Sequence, residues 1–241
     1  MYDIYAELLN HFSYVCKNEN LLRESVQVKA RVLSSEEAIG NPEANDFPLQ
    51  KGKERLMQAR FGTGVGQAFT DRYGDFSGKL KDIIDTPLEN NFRRAIFISS
   101  LNAVLRHLNK VQGTVHCRDK GPIQCAEELV HFLKEHYGQI KITQVGFQPR
   151  MVEQLSTAFE YRILDMDSDN IGTSKFDVMI EGPEATAEAV SWADLLLVTG
   201  TTVVNGTIDN FLNKKPILFY GTTIAGPADL MNWDRFCAKS T

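Results

Sequence analysis

No apolar run in this chain is long enough to cross a bilayer: the greasiest stretch, Leu195 to Val198, falls far short of the roughly 20 residues a spanning helix needs. The opening Met1-Tyr2-Asp3-Ile4-Tyr5-Ala6-Glu7 carries acids where a secretory signal carries Lys or Arg, and no apolar core follows. Basic clusters are missing too. Arg93-Arg94 and Lys214-Lys215 are short, separated pairs of the kind that sit on solvated faces. With a formal net charge of −5, nothing supplies the cationic footprint that phosphate backbones require. Cys16, Cys117, Cys125 and Cys237, in a chain without a signal, are expected to be reduced thiols and not a disulfide framework. The default is a cytoplasmic protein with neither membrane nor nucleic acid as partner.

Standard chemical signatures are equally scarce. There is no G-x-S-x-G nucleophile elbow. Gly74-Asp75-Phe76-Ser77-Gly78-Lys79-Leu80 is one residue short of the P-loop spacing and lacks the hydroxyl that would hold magnesium. His131, Glu135 and His136 imitate a zinc motif, but the two histidines, five apart, point in different directions on a helix of 3.6 residues per turn. His11 and His107 have no partners. No carboxylate pair stands at a spacing that assigns acid and base roles.

What is present is ordinary globular material, 43% hydrophobic and 24% charged over 241 residues, enough for one large domain or two modest ones. Ile4, Leu8, Leu9, Phe12 and Val15 recur at helical spacing from residue 3 to about 16. Residues 25–33 alternate as a half-buried strand, with Val26, Val28, Ala30 and Val32 on one face. Asn41-Pro42 and Phe47-Pro48 punctuate a loop. A strand at 54–61 runs into Gly62-Thr63-Gly64-Val65-Gly66, which either cradles a phosphate or serves as a flexible loop closing over a site. A helix at 92–108 completes an α+β N-terminal part.

From residue 113 the pattern becomes strand–helix alternation. Gly121-Pro122 opens a helix that Gly138 stops. Strands fit 140–145, 161–165, 176–180, 194–199 and 216–220, and helices fit 149–158, 184–192, 206–212 and 227–233. Short apolar strands between helices imply a mostly parallel, Rossmann-like sheet covered on both faces. The division expected is 1–112 and 113–241.

Ligands of such sheets sit beyond the carboxyl ends of the strands, where strand order reverses. Three turns fall at such ends: Val145-Gly146-Phe147-Gln148-Pro149, Val198-Thr199-Gly200-Thr201-Thr202 and Phe219-Tyr220-Gly221-Thr222-Thr223. Glycine lets the backbone approach a ligand, and threonine hydroxyls with free helix N–H groups offer donors to an anion. Asn205 extends the second turn. Asp165 closes the next strand about 20 residues beyond Gly146, where a dinucleotide fold places an acid on a ribose hydroxyl. Gly146 stands alone where G-x-G-x-x-G is expected, so the fingerprint is incomplete. The plain alternative is that Gly-Thr-Thr supplies only a turn and a helix cap.

His116-Cys117-Arg118-Asp119, followed by Cys125, gathers soft or borderline donors suited to a transition metal, although C-x7-C matches no standard zinc module. His116 and Cys117 are also the candidates for acid–base or nucleophilic work.

The chain resembles the putative heavy-metal chelation family, a family of unknown function. The resemblance is carried by Thr114-Val115-His116-Cys117-Arg118-Asp119, Val145-Gly146-Phe147-Gln148-Pro149, Leu164-Asp165-Met166-Asp167-Ser168-Asp169-Asn170-Ile171-Gly172 and Trp192-Ala193-Asp194. It continues through Val198-Thr199-Gly200-Thr201-Thr202-Val203-Val204-Asn205-Gly206-Thr207 and Tyr220-Gly221-Thr222-Thr223-Ile224-Ala225-Gly226. It implies an N-terminal domain like that preceding the barrel in enolases, a Rossmann-like C-terminal domain, and a site in the cleft between them. The expectation is therefore an interdomain site for a small anionic molecule, metal-bound or metal-chelating. Gly146, Gln148, Asp165 (toward a sugar or amine), Gly200, Thr201, Thr202, Asn205, Gly221, Thr222 and Thr223 would line it, with His116, Cys117 and Cys125 as donors to a transition metal. An enzyme using a nucleotide-type cofactor and a non-catalytic metal carrier are the alternatives. A homodimer is expected on frequency alone.

Overall fold

The structure is a computed structural model that describes residues 3–32 and 54–241, with the side chains of 26–32 excepted; the expected proline-marked loop and the alternating face of the first strand lie outside this description. The chain opens with helix α1 (Ile4–Asn18). Asp3 caps it, accepting from the N–H groups of Tyr5 and Ala6 at 3.0 and 3.2 Å. Its 3.6-residue stripe of Ile4, Leu8, Phe12 and Cys16 is fully buried.

Strands β1 (Ser25–Val32), β2 (Arg55–Phe61), β3 (Gly64–Thr70) and β4 (Gly78–Lys79) form an antiparallel sheet in the order β3-β2-β1-β4. A short helix α2 (Leu80–Ile84) follows, then α3 (Asn91–His107). Every residue of α3 from Ala95 to Leu105 is buried. A helix enclosed on all sides is a central core element, and α3 packs against β2 and β3 on one side and the C-terminal helices on the other.

Helix α4 (Gly121–Tyr137) ends at Gly138 with φ +71°, a conformation that glycine adopts without strain. Strands β5 (Lys141–Val145), β6 (Glu160–Leu164), β7 (Ser174–Lys175), β8 (Val178–Glu181), β9 (Leu195–Thr199), β10 (Ile217–Tyr220) and β11 (Arg235–Phe236) form the seven-stranded sheet. Helices α5 (Pro149–Ala158), α6 (Thr186–Trp192), α7 (Thr202–Asn205) and α8 (Ala225–Met231) complete the chain. The sheet order is β11-β10-β9-β5-β6-β8-β7, and all pairs are parallel except β7 with β8. The fold is thus mixed α/β around a mostly parallel sheet. The apolar run Leu195–Val198 is the buried middle of central strand β9, covered on both faces. From β5 the chain moves one way to β6 and β8, then returns to build β9, β10 and β11 on the other side. The order therefore reverses between β5 and β9.

One hydrophobic cluster runs through both sheets, from Ile4, Met57 and Phe97 to Val145, Val198 and Phe219. Polar links cross the same boundary. The Tyr5 hydroxyl donates to the Val203 carbonyl at 2.9 Å, and Arg94 Nε to the Val204 carbonyl at 2.6 Å. Arg94 is therefore a half-buried staple, not the solvated charge expected of the Arg93-Arg94 pair. The buried Asn102 amide donates to the carbonyls of Gln67, Thr222 and Thr223, and its oxygen accepts from Gly226 N–H at 2.7 Å.

Two expectations need correction. The glycine run at 62–66 is neither a phosphate cradle nor a lid. Gly62 turns the β2–β3 hairpin with φ +52°, and Gly64 and Gly66 lie within β3. A β-carbon on either glycine would enter the backbone of α3. The helix expected at 206–212 is split as well. α7 precedes it, Gly206 ends α7 at φ +82°, and only a 3₁₀ turn, Ile208–Asn210, follows. Among the described residues no helix is long and apolar enough to cross a membrane.

Candidate functional site

The carboxyl ends of β5, β6, β9 and β10 open onto one cavity of about 440 Å³, beside the point of strand reversal. Of the ten residues expected to hold a ligand, nine line it: Gly146, Gln148, Asp165, Gly200, Thr201, Thr202, Asn205, Gly221 and Thr223. Thr222 does not, and its hydroxyl is buried without a hydrogen-bond partner among the described residues. The far wall comes from the antiparallel sheet, through Glu54, Phe69, Thr70 and Asp71. The two walls are tied together where Phe69 N–H donates to the Thr223 hydroxyl at 3.1 Å.

Many of these polar groups already serve the fold. Thr202 Oγ1 donates to the Thr199 carbonyl at 2.7 Å, and Gln148 Oε1 caps α5 through Met151 N–H at 2.6 Å. Asn205 Oδ1 accepts from the amide and hydroxyl of Thr207. Asp165 is the most heavily used. Its oxygens accept from the N–H groups of Phe147, Met166 and Asp167 at 2.9, 2.6 and 2.8 Å, and from Asn170 Nδ2 at 3.4 Å. It organises the loop after β6, which leaves little of it for a sugar hydroxyl. Thr201 is freer: among the described residues its hydroxyl meets only Thr199 Oγ1, at 3.3 Å. With α7 four residues long and α8 seven, neither gives much helix-terminal attraction for an anion.

The feature that sequence spacing missed is acidic. Glu54 and Asp71 flank the Arg55↔Thr70 pair at the open end of the β2–β3 hairpin, while Asp165 and Asp167 lie just beyond β6. All four line the cavity, and among the described residues no Lys or Arg does. Asp71 accepts from Asn91 Nδ2 at 2.7 Å and Asp167 from Asp169 N–H at 3.1 Å, but the Glu54 carboxylate has no hydrogen-bond or ion-pair partner among the described residues, and only its backbone carbonyl accepts, from Arg55 at 2.8 Å. Burial, then Asp165, Asp71 and Asp167, pushes the Glu54 pKa up to about 7. This lining opposes the anionic ligand expected from the turns.

The donors entering from residue 116 are held by β3. His116 N–H donates to Gln67 Oε1 at 2.7 Å, and the ring stands edge-on to Phe69 with 5.4 Å between centroids. Among the described residues its Nδ1 is buried without a partner, and burial lowers its pKa to about 4, so the imidazole is neutral near pH 7. Burial also raises the Cys117 thiol far above its ordinary value, with Cys237 and Cys125 adding to the effect. Cys125 is pushed up to about 11 by burial and then Cys237. Thiols so protonated are poor nucleophiles. His116, Cys117, Cys125 and Cys237 all border the cavity, yet among the described residues no three His, Cys, Asp or Glu side chains are arranged to hold a metal ion.

Glu54 and His116 give opposed pH signatures. Glu54 has a folded pKa above its unfolded value, so its contribution is full below about 4.5 and declines as pH rises toward about 7. His116 has a depressed folded pKa, so stability falls as pH drops from about 6.5 to about 4. Glu54→Gln should therefore raise unfolding free energy at pH 8 by on the order of 1 to 3 kcal/mol, discounted for the residue's partial exposure. Urea titrations from pH 4 to 8 should show the acid-side loss from His116 persisting in the variant. A variant no more stable than wild type at pH 8 would contradict the placement of Glu54.

The profile of the family described as "Putative heavy-metal chelation" matches residues 129–223, a span holding all the strand-end turns. The resemblance read from the sequence is borne out over that span, which leaves out His116, Cys117 and Cys125. A DUF364 protein of unknown function from Pyrococcus horikoshii superposes with a TM-score of 0.54 at 17% identity, covering 90% of this chain and 79% of that one. It shares the fold. A protein of unknown function from the same family, from Desulfitobacterium hafniense DCB-2, gives a TM-score of 0.47 at 16% identity, covering 73% of this chain and 72% of that one. No curated protein matches the chain.

Proposed function

We propose that the chain binds a small metal-chelating or metal-bound molecule in the cavity at the strand ends. In this reading a Rossmann-like part, 113–241, supplies the floor, and an enolase-N-terminal-like part, 1–112, closes it. The observation that carries the proposal is the convergence of four neighbouring strand ends and the β2–β3 hairpin on one cavity. The family description supports the metal. Because the described side chains do not themselves form a metal-binding group, the metal is taken to arrive with its own chelator, as cargo. His116, Cys117 and Cys125 then serve as secondary contacts.

Native mass spectrometry with elemental analysis, on protein purified without added metal, tests this. A small-molecule adduct and a metal in equal stoichiometry are expected, leaving together on denaturation. Thr201→Val should weaken retention of the adduct several-fold, as the loss of one neutral hydrogen bond worth about 1 kcal/mol would. It should cost little stability, since that hydroxyl has only a long contact. Thr222→Val should leave retention unchanged and stabilise the fold slightly, by replacing an unsatisfied buried hydroxyl with a methyl. An adduct-free protein, or equal effects of the two substitutions, would count against the site.

A further inference from the structure

We propose that the ligand carries a positively charged nitrogen on an apolar body, and that the Glu54 carboxylate seats that nitrogen while Asp71 and Asp167 reinforce it from opposite walls. The proposal rests on the small-molecule reading above and goes on to name the ligand's chemical class.

Three observations converge on it. The cavity draws acids from both sheets and no Lys or Arg from the described residues, so its field favours a cation. Glu54 is half-buried and lines the cavity, and its carboxylate lacks any hydrogen-bond or ion-pair partner among the described residues, whereas Asp165 is saturated by backbone donors. An unpaired buried carboxylate is costly, and a bound ammonium or guanidinium would relieve that cost by a charge-assisted hydrogen bond. A bare metal ion fits less well, because no three ligating side chains converge among the described residues. The walls are soft as well: Phe69, Phe147, Phe211 and Tyr220 offer apolar and π surface that suits an organic cation. The charged and titratable groups facing Glu54 in the cavity are Asp71 on its own hairpin and, across from it, Asp165, Asp167, Tyr220 and the neutral His116.

Three matched probes, 2-phenylethylamine, 2-phenylethanol and 3-phenylpropionate, would be titrated by calorimetry into the full chain at pH 8 with EDTA present. The amine should bind at least about tenfold more tightly than the carboxylate, and Glu54→Gln should remove about tenfold of its affinity while leaving the alcohol unchanged. Amine affinity should also fall between pH 8 and pH 6, as Glu54 takes up its proton. A carboxylate bound as well as the amine, or an amine indifferent to Glu54→Gln, would overturn the cation assignment while leaving a small-molecule site standing. Amine binding only after zinc chloride replaces EDTA would overturn it in favour of a metal. Binding of none of the three would overturn the cation assignment, while the small-molecule reading stands or falls by the native adduct.

Discussion

Gly66→Ala is expected to cost several kcal/mol, enough to unfold much of the population of a domain whose total stability is about 5–15 kcal/mol. A β-carbon at this position would lie 2.3 Å from both Ala103 N and Ser99 O, and 2.6 Å from Asn102 Cβ. Two of these are backbone atoms in the fully buried stretch of α3, which cannot swing aside as a surface side chain can. Overpacking a core ordinarily costs about 1–3 kcal/mol when side chains give way. Here strand and helix must separate, and the contacts of Ala68 and Phe97 would loosen with them. Gly64 is under the same constraint, its added carbon falling 2.0 Å from Ala103 O. Two residues apart on a strand, both face the helix. Gly138→Ala is the control: nothing lies within 4 Å of its added carbon, so only its backbone conformation, φ +71° with ψ −145°, opposes it, at about 1–3 kcal/mol. Urea unfolding followed by circular dichroism would compare the three. A Gly66→Ala protein within about 1 kcal/mol of wild type would mean that β3 and α3 are not so closely packed.

The same strand shows where sequence reading stops. Helix α5, marked by Pro149 at its first turn and an amphipathic stripe, is legible to the residue, and the central strands, whose burial on both faces leaves short apolar runs, to within one residue at each end. Those signals are local. Gly64-Val65-Gly66-Gln67-Ala68-Phe69-Thr70 has little of the β-branched, alternating character of a strand, because its inner face is defined by contact with a helix some 35 residues away in the chain. Gly206 shows a second kind of ambiguity, since a glycine between two polar stretches can end one helix or precede another. The turns converged as their order in a doubly wound sheet required, because β10, β9 and β5 are neighbours. The acids were invisible for the opposite reason. Glu54 and Asp71 come together through hairpin register, and they meet Asp165 and Asp167 only through the packing of one sheet on the other. Asp165 itself was found by its spacing, but its carboxylate serves the loop it begins.

Asn102→Ala should destabilise the fold by about 3–5 kcal/mol, with effects at both walls of the cavity although Asn102 does not line it. Its amide nitrogen, with two hydrogens, serves three buried carbonyls: Gln67 at 2.9 Å, and Thr222 and Thr223 both at 3.2 Å. Its oxygen receives Gly226 N–H at 2.7 Å, at the start of α8. Truncation would leave these groups desolvated and unpaired, at roughly 1–3 kcal/mol for each group that finds no substitute. Asn102→Asp separates hydrogen bonding from packing. The ionised carboxylate can still accept from Gly226 but faces three carbonyl oxygens with no proton to offer, so at pH 8 it should be at least as harmful as alanine. Burial would raise that aspartate's pKa, and protonation restores one donor. Relative to wild type at each pH, Asn102→Asp should therefore regain stability as pH falls toward 5. Hydrogen exchange should show amides of residues 66–70 and 222–226 losing protection together in Asn102→Ala, because one side chain holds both segments. Independent loosening, or loosening of one alone, would show that the two walls are held by apolar packing and not by this amide.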